Sequence, residues 1–303
     1  MRHPALSLSV LTLAMTMALS ARAGHEQVIE IEKDLPQRPD RIQMDLEQDV
    51  PDLPADTGGW LRSLPGVSGK RLGGHGIDPV VRGQAENRIN VLLDGAYVYG
   101  GCPNRMDPPA SYAPLWSYDS LTLVKGAQTV RYGGGGSGGT LALERRTPRF
   151  EEAGGRLKAE AGYAGNGNRR ELAADGALGN EQGYVRLVAG YTRADNYKDG
   201  DGEEVRSALT ERGANLMLGY TPSADTRLEL GVEAIRGEDI LYAGRMDAPT
   251  ANNDIVRLKF EQAHPAGPFV DLKAELYHAK VYHLMDNYSL RELTAPMKMR
   301  VPS

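Results

Sequence analysis

The second half of the chain repeats one pattern, in which segments of about ten residues alternate apolar with polar or small side chains. The alternating segments lie at residues 184–191, 214–220, 228–234, 255–260 and 270–276, with polar turns between several of them. Because side chains alternate between the two faces of a strand, the pattern predicts antiparallel strands with one apolar face. It is typical of a transmembrane β-barrel over residues 150–303, although a soluble β-sandwich would produce a similar alternation.

The first 23 residues have the features of a secretory signal peptide. Arg2 supplies a short basic start, residues 6–19 form an apolar core, and Ala21-Arg22-Ala23 resembles a cleavage site. The core is too short to span a bilayer, and no later stretch reaches the roughly 18 consecutive apolar residues of a spanning helix. We therefore expect export, to the periplasm, the medium or the outer membrane.

Charge and motifs exclude several classes of function. The formal net charge is −5, so the chain lacks the basic field that nucleic acids attract. The glycine loop at residues 133–139 contains G-x-G-x-x-G matches, but a predicted strand follows it, whereas a dinucleotide site requires a helix there. The sequence has no G-x-S-x-G motif, and no histidine has the surroundings of a catalytic triad. We predict that the protein is not an enzyme.

Two pairs of soft metal ligands stand out from this background. Cys102 is the only cysteine, which excludes an internal disulfide, and Met106 follows it by four positions. His283 and Met285 form the second pair, and both have the odd parity of the charged positions earlier in that strand, which predicts that they face the barrel lumen. Such a ligand set favours Cu(I), and it would also accept Cu(II) followed by reduction. The alternatives are a small buried cysteine, methionines that fill gaps, and a hydrogen-bonding lumen histidine.

The region before the barrel divides into two parts. Residues 24–58 are rich in Asp, Glu and Pro and predict an extended N-terminal segment. A short β-prone island inside it is suited to adding a strand to a partner's sheet edge, and its residues are Gln27, Val28, Ile29, Glu30 and Ile31. Residues 59–146 instead predict a compact mixed α/β domain, with strands at 89–93, 121–125 and 140–143.

The motifs of this mixed domain resemble the plug domain of TonB-dependent outer-membrane receptors. They are, in order, Leu61-Arg62-Ser63-Leu64-Pro65-Gly66-Val67, Val81-Arg82-Gly83, Ile89-Asn90-Val91-Leu92-Leu93-Asp94-Gly95, residues 123–133 and Gly138-Gly139-Thr140-Leu141. Within that family, Cys102-x-x-x-Met106 together with His283-x-Met285 is similar to the copper-receptor subgroup.

The resemblance implies a fold, a cargo and partners. The fold is a small mixed α/β plug inside an antiparallel transmembrane β-barrel of about 22 strands, embedded in outer-membrane lipid. Copper would be the transported ligand of Cys102, Met106, His283 and Met285, and energy would come through TonB with ExbB and ExbD. The island at residues 27–31 would be the TonB box. Residues 150–303 have room for only about eight strands, so the barrel is expected to be incomplete in this chain.

Other functions remain open on the sequence. The same receptor scaffold takes a siderophore, haem or cobalamin in other members of the family, and Cys102 would then be dispensable. A non-transporting surface protein or a periplasmic copper-binding protein is a further alternative. Met297 and Met299 could serve as an additional soft station, although we expect that they do not.

Overall fold

The computed structural model describes residues 40–50, 57–71, 75–126, 132–134, 136–265 and 269–303. Residues 40–144 form a small mixed domain, the plug, and residues 154–302 form a large antiparallel sheet, the wall. The predicted signal peptide, residues 1–23, and the predicted TonB box, residues 27–31, lie outside the described residues.

The plug is built from short elements. Its strands are β1 Arg41–Asp45, β2 Val67–Lys70, β3 Asp78–Val81, β4 Ile89–Leu93, β5 Ala96–Tyr97, β6 Ser120–Lys125 and β7 Gly139–Glu144. Its α-helices are α1 Leu46–Asp49 and α2 Thr57–Leu61, and its 3-10 helices are Glu86–Arg88, Pro109–Tyr112 and Leu115–Ser117. Among the described residues, no helix combines the length and the apolar character needed to cross a membrane.

The main sheet of the plug has the strand order β1-β6-β7-β4-β5, and β4 and β7 run parallel. Every residue of β4 is buried, as expected for the mainly apolar run Ile-Asn-Val-Leu-Leu at the centre of a domain. Asp94 and Gly95 follow with φ values of 52° and 88°, and they make the predicted tight turn into β5. β1 lies inside the predicted N-terminal extension and pairs with β6, so the ordered domain begins earlier than the change in composition indicates.

The wall is one eight-stranded antiparallel sheet, with the order β17-β16-β15-β14-β13-β10-β9-β8. A separate two-stranded ribbon lies in the connection between β10 and β13 and consists of β11 Tyr197–Lys198 and β12 Glu204–Val205. The eight strands are β8 Gly154–Ala164, β9 Arg169–Asn180, β10 Gly183–Ala194, β13 Leu209–Ser223, β14 Thr226–Ile240, β15 Asp247–Ala263, β16 Asp271–Asp286 and β17 Arg300–Pro302.

One face of the wall is apolar and exposed, and the other packs on the plug. In β13, Leu216 and Leu218 are exposed while Asn215 and Met217 are buried. In β16, Leu276 is exposed, whereas the carboxylate of Glu275 lies against Gly95 of the plug. The predicted fold class, a mixed plug followed by an incomplete antiparallel barrel, is confirmed.

Buried charges join the plug to the wall. Arg145, which directly follows β7 of the plug, lies 3.0 Å from Glu233 of β14, and Arg257 of β15 lies 3.1 Å from the same carboxylate. Lys259 of β15 lies 2.6 Å from plug residue Asp94. Burial alone would raise the pKa of Asp94, but the positive charges of Lys259, Arg257 and Arg145 outweigh it and hold this pKa well below its usual range. We call these five residues the charge cluster.

We expect Glu233→Gln to weaken the attachment of the plug. The substitution leaves the buried guanidinium groups of Arg145 and Arg257 with only the carboxylate of Asp94, at 3.5 and 3.3 Å, and breaking a buried ion pair costs up to about 3–5 kcal/mol. Thermal unfolding should occur at lower temperature, and hydrogen exchange in β4 and β7 should become faster. Glu238→Gln is the control, because Glu238 is on the same strand as Glu233 but its ion pair with Arg212 of β13 is exposed. Equal effects of the two variants would refute this role of the charge cluster.

Candidate metal centre

The loop that carries Cys102 follows β5 and is closed on itself by Asp107. One carboxylate oxygen of Asp107 accepts a hydrogen bond from the Gly101 amide at 2.6 Å, and the other accepts from the Cys102 amide at 2.8 Å. The Arg105 amide donates to the Cys102 carbonyl at 2.8 Å, which makes a turn with Pro103 at its second position. The thiol of Cys102 is therefore carried by a short loop of defined shape.

Arg105 fastens this loop to the body of the plug. Its Nε and Nη2 atoms donate to the two carboxylate oxygens of Asp78 in β3, at 2.6 and 2.8 Å, and Nη1 donates to Asn87 at 3.1 Å. Hydrogen bonding to Asp78 raises the pKa of Arg105, so the guanidinium remains charged. The bidentate pair attaches the loop to β3 of the plug, while the Cys102 thiol lies near His283 of the wall.

The wall contributes His283 and Met285 near the end of β16. Their exposed fractions are 0% and 4%, so both side chains are buried. A one-residue register shift lies in the neighbouring strand β15, between Asp247 and Thr250, and β16 itself continues without interruption. The odd parity predicted from the sequence is thus preserved along β16. Backbone hydrogen bonds of 2.8 and 2.9 Å between His283 and Ser303 fix the far edge of the strand.

The plug loop and the wall strand meet at a cluster of potential metal ligands. The Sγ atom of Cys102, a carboxylate oxygen of Asp107 and a ring nitrogen of His283 all lie within 4.8 Å of one another. Both ring nitrogens of His283 are buried and have no hydrogen-bond partner in the described part of the chain. A buried imidazole normally forms a hydrogen bond through at least one nitrogen. The lone pair of an unpaired His283 nitrogen would be satisfied by a bound cation.

The two methionines belong to the large apolar core between plug and wall. Met285 belongs to the apolar core that also packs against Cys102 and Met106. The Met106 carbonyl accepts a hydrogen bond at 3.2 Å from the hydroxyl of Tyr242, which lies in the connection between β14 and β15. The structure therefore brings two of the four sequence-predicted ligands, Cys102 and His283, within 4.8 Å of each other, and the chain carries Met106 four positions after Cys102 and Met285 two positions after His283.

Met297 and Met299 are placed differently. Met297 is 66% exposed, and the amide of Met299 donates to the side chain of Asn287 at 2.8 Å. Both follow β16 in the segment that returns as β17, and neither belongs to the apolar core around Cys102.

Asp107 is the functional candidate that sequence reasoning missed. It directly follows Met106 and is fully buried, and the hydroxyl of Tyr112 donates to it at 2.7 Å. Burial and the negative charge of Asp107 raise the pKa of Tyr112 well above its ordinary value, so the phenol keeps its proton and acts as a donor. The sequence feature that could have indicated Asp107 is an acidic residue in the same short loop as the candidate ligands Cys102 and Met106.

The comparisons with known proteins agree with this architecture. The family model described as TonB-dependent Receptor Plug Domain matches residues 37–140. Over these residues the chain is similar to a TonB-dependent receptor plug domain. The match includes β1, in agreement with its pairing to β6 of the plug. The resemblance drawn from the sequence motifs is thereby confirmed, and the matched family is one of transport receptors.

Solved and curated relatives extend the likeness beyond the plug. A structure titled copper transporter OprC is 35% identical, has a TM-score of 0.81 and is matched over 87% of this chain and 41% of its own. The siderophore receptor PirA from Acinetobacter baumannii has a TM-score of 0.63 at 15% identity, over 87% of this chain and 43% of its own, which shows the shared fold alone.

A curated relative has a different cargo in its name. The ferrioxamine B receptor of Salmonella typhimurium strain SL1344 is 33% identical over 138 residues, which are 43% of this chain and 18% of the relative. The chain thus spans less than half of the length of the relatives that it matches.

Proposed function

We propose that this chain forms the plug and part of the barrel of a TonB-dependent outer-membrane copper receptor. The observation that carries the proposal is the meeting of the Cys102 thiol with the His283 imidazole, whose two ring nitrogens have no hydrogen-bond partner among the described residues. Met106 lies four positions after Cys102 and Met285 two positions after His283, so the same two segments that carry the thiol and the imidazole also carry two thioethers. Thiolate, thioether and imidazole together suit copper better than zinc or iron, because methionine sulfur binds soft ions.

The position of the site gives a mechanism for binding and release. Cys102 and Met106 belong to the plug, while His283 and Met285 belong to the wall, so the ion is held by both bodies at once. Any movement of the plug relative to the wall separates the two halves of the ligand set and lowers its affinity. In this account TonB, energised through ExbB and ExbD, pulls on the segment at residues 27–31, moves the plug and frees the copper ion towards the periplasm.

Metal content measured on the purified receptor tests this function. The protein in detergent is offered equal concentrations of copper, zinc and iron salts and is then analysed by mass spectrometry. We expect close to one copper ion per chain and little zinc or iron. A folded receptor that retains no copper would contradict the proposal.

A siderophore receptor is the second candidate, because the curated ferrioxamine B receptor is similar over 138 residues. A hydroxamate chelate of iron would then bind the same receptor and quench tryptophan fluorescence, and Cys102→Ala would leave that binding unchanged. The copper proposal predicts no such quenching. The two measurements on one protein preparation separate the candidates.

A further inference from the structure

The candidate centre contains a charge that soft-ligand chemistry does not require. Asp107 has no exposed surface, and one of its carboxylate oxygens lies within 4.8 Å of both the Cys102 thiol and a His283 nitrogen. Its oxygen Oδ1 is 3.9 Å from Nδ1 of His283. A soft monovalent ion would be satisfied by sulfur and imidazole, so the carboxylate needs a separate explanation.

Hydrogen bonds hold this carboxylate in place whether or not an ion is bound. Three donors converge on its two oxygens, namely the amides of Gly101 and Cys102 and the hydroxyl of Tyr112. The carboxylate cannot swing away without leaving two partly buried amides and a buried phenol unpaired, which costs free energy at each group. Its charge is therefore a permanent part of the site.

The charge balance of the site follows from its members. Metal binding requires Cys102 as the thiolate, which together with Asp107 gives two negative charges, while His283 and the methionines are neutral as ligands. The nearby cation Arg105 is already neutralised by its bidentate pair with Asp78. A divalent ion makes the buried centre neutral, whereas a monovalent ion leaves it with one negative charge.

We propose that the carboxylate of Asp107 sets the preference of the centre between divalent and monovalent ions. It allows this soft ligand set to bind soft divalent ions, Cu(II) included, as well as monovalent ones. The inference rests on the proposed function. At a separation near 5 Å and an effective dielectric constant of about 20, one additional unit of charge on the ion gains on the order of 100-fold in affinity from a neighbouring carboxylate.

Two redox-inert probes of different charge test the assignment. Ag⁺ and Cd²⁺ are titrated into the purified receptor and into Asp107→Asn, and the ratio of the Cd²⁺ to the Ag⁺ association constant is compared. We expect this ratio to fall on the order of 100-fold in the variant, because the divalent ion loses twice the attraction that the monovalent ion loses. If Asp107 only shaped the loop, the substitution would lower the association constants of both ions by the same factor and leave their ratio unchanged.

Two further variants separate charge from shape. Tyr112→Phe removes one donor to Asp107 but keeps the charge, so the ratio should stay within about threefold of the parent value. Asp78→Asn leaves the loop sequence intact but exposes the site to the uncompensated charge of Arg105, so the ratio should fall, by less than in Asp107→Asn. If Asp107→Asn does not fold, the ratio measured in Asp78→Asn serves as the test.

The outcomes distinguish this inference from the function on which it rests. Tight binding of both ions with a ratio that is unchanged in Asp107→Asn and Asp78→Asn overturns the role of Asp107 and leaves a copper receptor. Failure of the folded parent to bind either ion overturns both.

Discussion

Replacing His283 with alanine should reduce the copper affinity of the receptor by at least about 100-fold, since removal even of groups that only support metal ligands costs 10–100-fold. The imidazole lies at the junction of plug and wall, and its two nitrogens have no other partner in the described residues. Cys102→Ala should have an effect of similar size from the plug side. Titration of the detergent-solubilised variants against a copper chelator of known affinity measures both losses.

His278→Ala is the matched control for this prediction. His278 lies on the same strand five positions earlier, but its parity is even and its side chain is exposed on the outer face. We expect its copper affinity to equal that of the parent. Equal losses in His278→Ala and His283→Ala would show that the effect comes from the strand rather than from the ligand.

Adding a methyl group at the Gly100-Gly101 pair should disable the same site without removing any ligand. A Cβ atom on Gly101 would lie 2.9 Å from the Cβ of His283 and 3.2 Å from the Ser303 hydroxyl, which is closer than packed carbon atoms allow. A Cβ atom on Gly100 would meet the backbone carbonyl of Asp107, which cannot move without opening the loop. Gly101→Ala should therefore cost about 1–3 kcal/mol of stability and lower copper affinity by at least about tenfold.

Gly134→Ala provides the control for the glycine prediction. Gly134 also lies in the plug, but a Cβ atom there has open space around it. Its thermal stability and copper affinity should match those of the parent. Copper affinity that is unchanged in Gly101→Ala would mean that the Cys102 loop does not approach His283 as closely as the structure indicates.

The regular parts of the molecule could be predicted from the sequence because strand periodicity is local. The alternation of residues earlier in β16 predicts that His283 and Met285 lie on the inner face, and no bulge in that strand reverses it. Strand β4 and its Asp94-Gly95 turn could also be predicted, because a few neighbouring residues are enough to specify each of them.

The remaining features depend on contacts between distant segments. β1 is a single short strand in a polar region, and its pairing with β6 and the packing of Ile42 and Met44 on the core make it part of the plug. Asp107 became a candidate only when its carboxylate was seen between the Cys102 loop and β16. The need for Gly101 likewise comes from His283, a residue 182 positions away in the chain, and periodicity carries no such information.

X-ray absorption at the copper edge of the metal-loaded receptor tests most directly whether plug and wall hold one ion together. We expect a single copper environment that contains both sulfur and imidazole nitrogen, with sulfur at about 2.3 Å as for other metal–thiolate bonds. In Cys102→Ser a sulfur contribution should be lost while the imidazole remains. A spectrum with only nitrogen and oxygen around copper, or one that is unchanged in both Cys102→Ser and His283→Ala, would contradict the shared site.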